Sequence, residues 1–82
     1  MSADEADAVA TIADAIRRYC ALHPDAADSA EGVQRWWLPP FTHEEPLPLV
    51  ELALERLVAV GAMFRGVMED GRVIYSNARR TE

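Results

Sequence analysis

The stretch from Pro48 to Tyr75 constrains this chain more than any other, because an apolar helix, a glycine stop and a hairpin signal follow one another there. Val50, Ala53, Leu54, Leu57 and Val58 recur with the period of one helix face. Leu49, Leu52 and Val60 widen that stripe until little polar face remains, so the helix is expected to be covered on most sides. Gly61 follows the last periodic residue, where a left-handed conformation ends a helix. Asp70-Gly71 then separates Phe64-Arg65-Gly66-Val67-Met68-Glu69 from Arg72-Val73-Ile74-Tyr75, the pattern of a hairpin with a two-residue turn. Such a turn sets Glu69 opposite Arg72, Met68 opposite Val73, Val67 opposite Ile74 and Gly66 opposite Tyr75. Both faces of the ribbon are then partly apolar. One is expected to pack on the helices, and the other to be lightly covered or offered to a partner.

Two helices are expected ahead of this stretch. Ser2-Ala3-Asp4-Glu5 has the form of a capping box, and Val9, Ile12, Ile16, Tyr19 and Cys20 then recur at three and four, leaving Asp7, Asp14, Arg17 and Arg18 for water. The spacing predicts a helix from about residue 3 to Leu22, because His23 precedes Pro24 and is pushed out of helical geometry. Asp25-Ala26-Ala27 reads as a short link and Asp28-Ser29-Ala30-Glu31 as a second capping box. It opens a helix with Val33, Trp36 and Trp37 on one side and Gln34 and Arg35 on the other. Gly32 weakens that helix by about 1 kcal/mol relative to alanine, which points to another backbone passing close by. Pro39 and Pro40 end it. The loop from Thr42 to Leu47 leads to Pro48 at the first position of the third helix. Ser76 to Glu82 is polar and is expected to fray, with Arg79 and Arg80 free to move.

A chain of 82 residues has room for a single core. Tyr19, Trp36, Trp37, Phe41, Phe64 and Tyr75 are its expected aromatic anchors. The formal net charge is −6, and every basic residue is an arginine. Residues 1–31 carry seven acids against Arg17 and Arg18, a balance of −5, so the remainder comes to −1. Such a surface repels phosphate at long range and suits a basic partner. Cys20 is the one cysteine, which excludes an intrachain disulfide and suits a reducing compartment. The first residues are acidic where an export signal is basic, and no apolar run approaches the roughly 20 residues that span a bilayer, so a cytoplasmic location without membrane contact is expected.

In order, three helices and then a hairpin whose tip is Asp70-Gly71, the chain resembles the winged-helix superfamily of helix-turn-helix domains. Val50-Glu51-Leu52-Ala53-Leu54-Glu55-Arg56-Leu57-Val58-Ala59-Val60-Gly61 looks like the segment of many bacterial regulators in which a recognition helix leads through glycine into the wing. The resemblance implies an α+β fold, a small winged helix of three helices followed by a two-stranded antiparallel hairpin, over residues 1–76 with a polar tail at 77–82. In such a domain the third helix turns basic and amide side chains toward base edges, and the wing adds basic residues near phosphates. Here the third helix offers Glu51, Glu55 and Arg56, and the wing tip is Glu69-Asp70 with Arg65 and Arg72 behind. Carboxylates there oppose the counterion-release term of nucleic-acid affinity.

No catalytic, cofactor or metal site is read in the chain. Cys20 and His23 are spaced C-x-x-H and His43-Glu44-Glu45 lies further on, but one cysteine and two histidines are too few for a structural zinc site. Cys20 reads as a core residue and the histidines as surface or capping groups. The four glycines are too dispersed to cradle a phosphate, and neither an enzyme nor a small-molecule substrate is expected. Trp36-Trp37 is the most informative pair, because neighbours on a helix diverge by about 100° and both indoles cannot face one small core. The expected function is a protein-interaction or accessory module. Trp36, Trp37, Leu38, Pro39 and Phe41 would form the contact, with another protein or a second copy as partner. The alternative is a DNA-binding regulator using Arg56, Arg65 and Arg72.

Overall fold

The first helix forms where its sequence period is unbroken. In a computed structural model, which describes residues 3–39 and 46–78, helix α1 runs from Ala3 to Leu22 and stops one residue before His23-Pro24. Val9, Ile12, Ile16 and Cys20 are buried along one stripe together with Ala13, while Asp7, Asp14, Arg17 and Arg18 face water. Ser2 lies outside the described residues.

Five residues after α1 ends, where a link and a capping box are expected, the chain instead forms a short strand. Strand β1, Ala27–Asp28, precedes helix α2, Ala30–Gly32, which continues as a π-helical segment, Val33–Trp37. Helix α3, Leu47–Ala59, and strands β2, Met63–Val67, and β3, Val73–Asn77, complete the described chain. The fold is α+β, but its sheet has three antiparallel strands in the order β1-β3-β2 rather than the two of a lone hairpin. Ala27 lies opposite Ser76 and Asp28 opposite Tyr75. A strand this short has no hydrophobic period of its own and exists because β3 supplies its partners. Beyond it, the Asn77 N–H donates to the Ala26 carbonyl at 3.1 Å, and the Asn77 side chain donates to the Pro24 carbonyl at 3.0 Å. Asn77 is thus part of the sheet, one residue past the expected domain boundary, and Ser76 is held in a strand rather than fraying.

The second helix is capped one residue later than expected. Ser29, not Asp28, is the N-cap: its hydroxyl accepts from the Gly32 N–H at 3.2 Å, while the Asp28 carboxylate accepts from the Ser29 N–H at 2.8 Å. What passes close to Gly32 is that carboxylate and not a backbone, since a Cβ on Gly32 would overlap it.

α3 ends in a Schellman motif. Gly61 takes φ +80°, its N–H donates to the Val58 carbonyl at 3.1 Å, and the Ala62 N–H reaches back to the Leu57 carbonyl at 2.8 Å. Helix and sheet are thereby joined in a fixed turn. Pro48 occupies the second rather than the first helical position, since the helix opens at Leu47.

The hairpin register differs by one residue from the expected one. Val67 lies opposite Val73, Gly66 opposite Ile74 and Arg65 opposite Tyr75. The Gly71 N–H donates to the Met68 carbonyl at 2.9 Å and the Met68 N–H to the Arg72 carbonyl at 2.7 Å, so the loop has three residues, Glu69-Asp70-Gly71. Only Gly71, at φ +89°, is left-handed. A two-residue type I′ turn would need Asp70 left-handed as well, whereas a type I turn closed by one left-handed glycine needs three residues.

The core lies between α1 and α3, closed at one side by the second helix and at the other by the sheet. Val50, Ala53, Leu54 and Leu57 of α3 meet the α1 stripe, with Val33, Trp37, Leu38, Met63 and Tyr75 filling the remainder. Of the expected aromatic anchors, only Trp37 and Tyr75 are buried; Tyr19 is half-buried, Trp36 and Phe64 are exposed, and Phe41 lies outside the described residues. α3 is covered on one face rather than most of its sides, with Leu52 and Val60 left in water. No helix of the described residues is long and apolar enough to cross a membrane.

Candidate interaction surface

The two neighbouring tryptophans have opposite fates. Trp37 is 6% exposed and its indole stacks on the Tyr19 ring, with centroids 4.7 Å apart and planes 11° from parallel. Tyr19 in turn leans on His23, with centroids 4.3 Å apart at 32°. Trp36 is 73% exposed, so it does not share a face with Val33 as expected. The π-helical turn admits one indole between α1 and the core and turns the other outward.

Of the five residues expected to form a contact, Trp37 and Leu38 belong to the core. Pro39 is half-buried, Phe41 lies outside the described residues, and Trp36 alone stands fully in water. Beside it is a residue that periodicity did not single out. Leu22, at 78%, is the most exposed large apolar residue described. It lies six positions past Ile16, about 240° round the helix, and so off the buried stripe. That angle was readable in the sequence.

Trp36 and Leu22 border an open depression of about 580 Å³ whose lining includes Tyr19, His23, Pro24, Asp25, Ala27 and Asp28. Tyr19, Leu22 and Trp37 also line a smaller apolar hollow of about 240 Å³, which reaches Ala15 and Pro39. Aromatic rings with one face in water and carboxylates at the rim suit an amphipathic side chain from another molecule.

The arginines of the third helix and hairpin are arranged differently. Arg65 directs one guanidinium nitrogen at both Glu55 oxygens, at 3.1 and 3.2 Å, and the Tyr75 hydroxyl donates to Glu55 Oε2 at 2.5 Å. Arg72 Nε donates to Asp70 at 2.8 Å, an ion pair at the hairpin tip. Arg56 is exposed and has no ion pair among the described residues. Two of these three arginines therefore bring a carboxylate with them. The hydrogen bond from Tyr75 is the largest influence holding the Glu55 carboxyl below its ordinary value, opposed by partial burial and reinforced by Arg65. Burial, and then Glu55 itself, push the Tyr75 phenol up to about 12. A buried tyrosine needs a partner, but a pairing with Glu55 across 20 residues could not be read from sequence.

Burial raises the Cys20 thiol. Among the described residues there is no group of three histidine, cysteine or carboxylate side chains able to hold a metal ion. His23 faces Tyr19, and His43, Glu44 and Glu45 lie outside the described residues. Comparison with protein-family models, with curated proteins and with solved structures gives no match to this chain.

Proposed function

We propose that this chain is a winged-helix-like domain that works as a non-catalytic protein-interaction or accessory module, docking a partner on the surface around Trp36. The winged-helix reading is supported by the order of elements, in which a short strand after α1 joins the terminal hairpin. The interaction reading rests on one observation: Trp36, 73% exposed, and Leu22, 78% exposed, border the same depression, which the stacked Trp37 and Tyr19 also line. A tryptophan costs little conformational entropy to fix and supplies a large apolar contact, which is why it dominates interface energetics.

The test is affinity capture with the intact chain and its Trp36→Ala and Leu22→Ala variants, alongside thermal unfolding of each. The expected result is a partner retained by the wild-type chain and lost by both variants, with unfolding unchanged. A partner held equally well by the variants, or none at all, refutes the reading.

The competing reading, a DNA-binding regulator, draws on the same element order and on Arg56, Arg65 and Arg72. Against it stand the carboxylates paired with two of those arginines and the overall charge of −6. Titration of duplex DNA at low salt decides between them, because tight, salt-steep binding would reverse the order of preference.

A further inference from the structure

The charges around the depression define its partner more closely. Among the described residues its ionisable side chains, apart from Tyr19, are Asp25, Asp28 and His23, with no arginine. Neither Asp25 nor Asp28 is in an ion pair among the described residues. Asp28 uses one oxygen on the Ser29 N–H, and Asp25 is exposed. Arg18 of α1 lines the smaller hollow instead and is bound to Asp14 at 2.9 Å. An exposed indole, carboxylates on the same depression and an apolar shoulder formed by Leu22 and Pro24 thus lie together, with no arginine lining the depression among the described residues.

We infer that the occupant is an arginine-bearing segment of another protein, its guanidinium stacked on Trp36 and paired with Asp25, and a neighbouring apolar side chain against Leu22. This rests on the reading of Trp36 as a contact residue and adds the chemistry of what meets it. A guanidinium fits better than an ammonium because it is planar, weakly hydrated and able both to stack on an indole and to fork onto a carboxylate. A phosphate-bearing ligand is disfavoured by the same carboxylates. A second copy of the chain is a poorer source, because two copies that each carry a net charge of −6 repel one another at long range.

The test selects a random displayed peptide library on the intact chain and titrates a synthetic copy of the most enriched peptide by calorimetry. Arginine next to an apolar residue is expected to be enriched. Affinity is expected to fall about tenfold or more in Trp36→Ala. It should fall several-fold in Asp25→Asn and on replacing the peptide arginine by lysine. Asp7→Asn, an acid away from the depression, should leave it unchanged. Peptides that depend on Trp36 but carry no excess of arginine overturn the inference and leave the docking reading standing. Peptides indifferent to Trp36→Ala, or no enrichment at all, overturn both. Trp36-dependent self-association in sedimentation would make a second copy the occupant and overturn the inference in favour of a homodimer.

Discussion

Trp36 and Trp37 differ by one position in the chain and by nearly everything else, so they make a sharp comparison at the scale of the residue. Trp37→Ala removes a buried, stacked indole and is expected to cost about 3–5 kcal/mol, enough to unfold much of a small domain. Trp36→Ala removes a side chain already in water and should stay within about 0.5 kcal/mol. Urea unfolding of the two variants checks both, and a large loss in Trp36→Ala would contradict the exposed placement. Tyr75 supplies a second residue-scale prediction. Its phenol ionises near 10 when unfolded and at about 12 when folded, so between those values the unfolded chain loses its proton first. The Tyr75 contribution is therefore complete below pH 10 and declines as pH rises toward 12. Glu55 runs the other way: its carboxyl is depressed on folding, so its contribution holds above the ordinary value of 4.5 and is lost as pH falls further. Tyr75→Phe should remove the alkaline decline and destabilise at neutral pH by about 1.5 kcal/mol. That is the low end for a bond to a charged group, because Glu55 is partly in water. Unfolding midpoints measured across pH for wild type and variant are the check.

At the scale of the element, two glycines hold conformations or spaces that a side chain would disturb, for different reasons. Gly71 is left-handed with nothing within 4 Å of where a Cβ would stand, so Gly71→Ala costs backbone strain alone, about 1 kcal/mol. Gly32 has ordinary helical angles, and alanine there would raise helix propensity by about as much. Its Cβ would nevertheless displace the Asp28 carboxylate from the Ser29 N–H and disturb the end of β1. Gly32→Ala is therefore expected to destabilise despite the propensity gain, while Gly32→Ala combined with Asp28→Ala should cost little more than Asp28→Ala alone. Chemical unfolding of the single and double variants provides the cycle. These elements also show which parts of the fold were legible in advance. α1 and α3 were, because each carries a long period and a definite stop in His23-Pro24 or Gly61. β1 was not, because its two residues are defined by Tyr75 and Ser76 almost fifty positions away. The hairpin was visible but its register was not, since Asp70-Gly71 is compatible with loops of two or three residues and the choice lies in the φ of Asp70. In the candidate surface, adjacency required one of Trp36 and Trp37 to leave the core. Which one left depended on a stacking partner, Tyr19, presented by another helix.

The charge distribution of the whole molecule decides how the scaffold can be used. α1 exposes Asp4, Glu5, Asp7 and Asp14, and the helix and hairpin that a gene regulator would turn toward DNA present Glu51 and Glu55 with Arg65, and Asp70 with Arg72. Arginine is not lacking there; each of those two is accompanied by a group that repels phosphate. If the winged-helix reading of the scaffold holds, removing the escorts should recover a weak nucleic-acid surface. The variant combining Glu51→Gln, Glu55→Gln and Asp70→Asn is three units less negative, and it leaves Arg56, Arg65 and Arg72 without those counter-charges. Fluorescence anisotropy with a labelled duplex at low salt should show no saturable binding by the wild-type chain. The variant should bind weakly, with log affinity falling against log salt at a slope of about −3 if all three arginines reach phosphates, close to one unit for each. Because Glu55 also accepts from Tyr75, unfolding of the variant must be measured alongside, and a modest loss of stability is expected there. A folded variant that still ignores DNA would mean that the three arginines do not share a phosphate-facing surface. Strong binding by the wild-type chain would mean instead that these ion pairs open to admit a backbone phosphate, and the regulator reading would then take precedence.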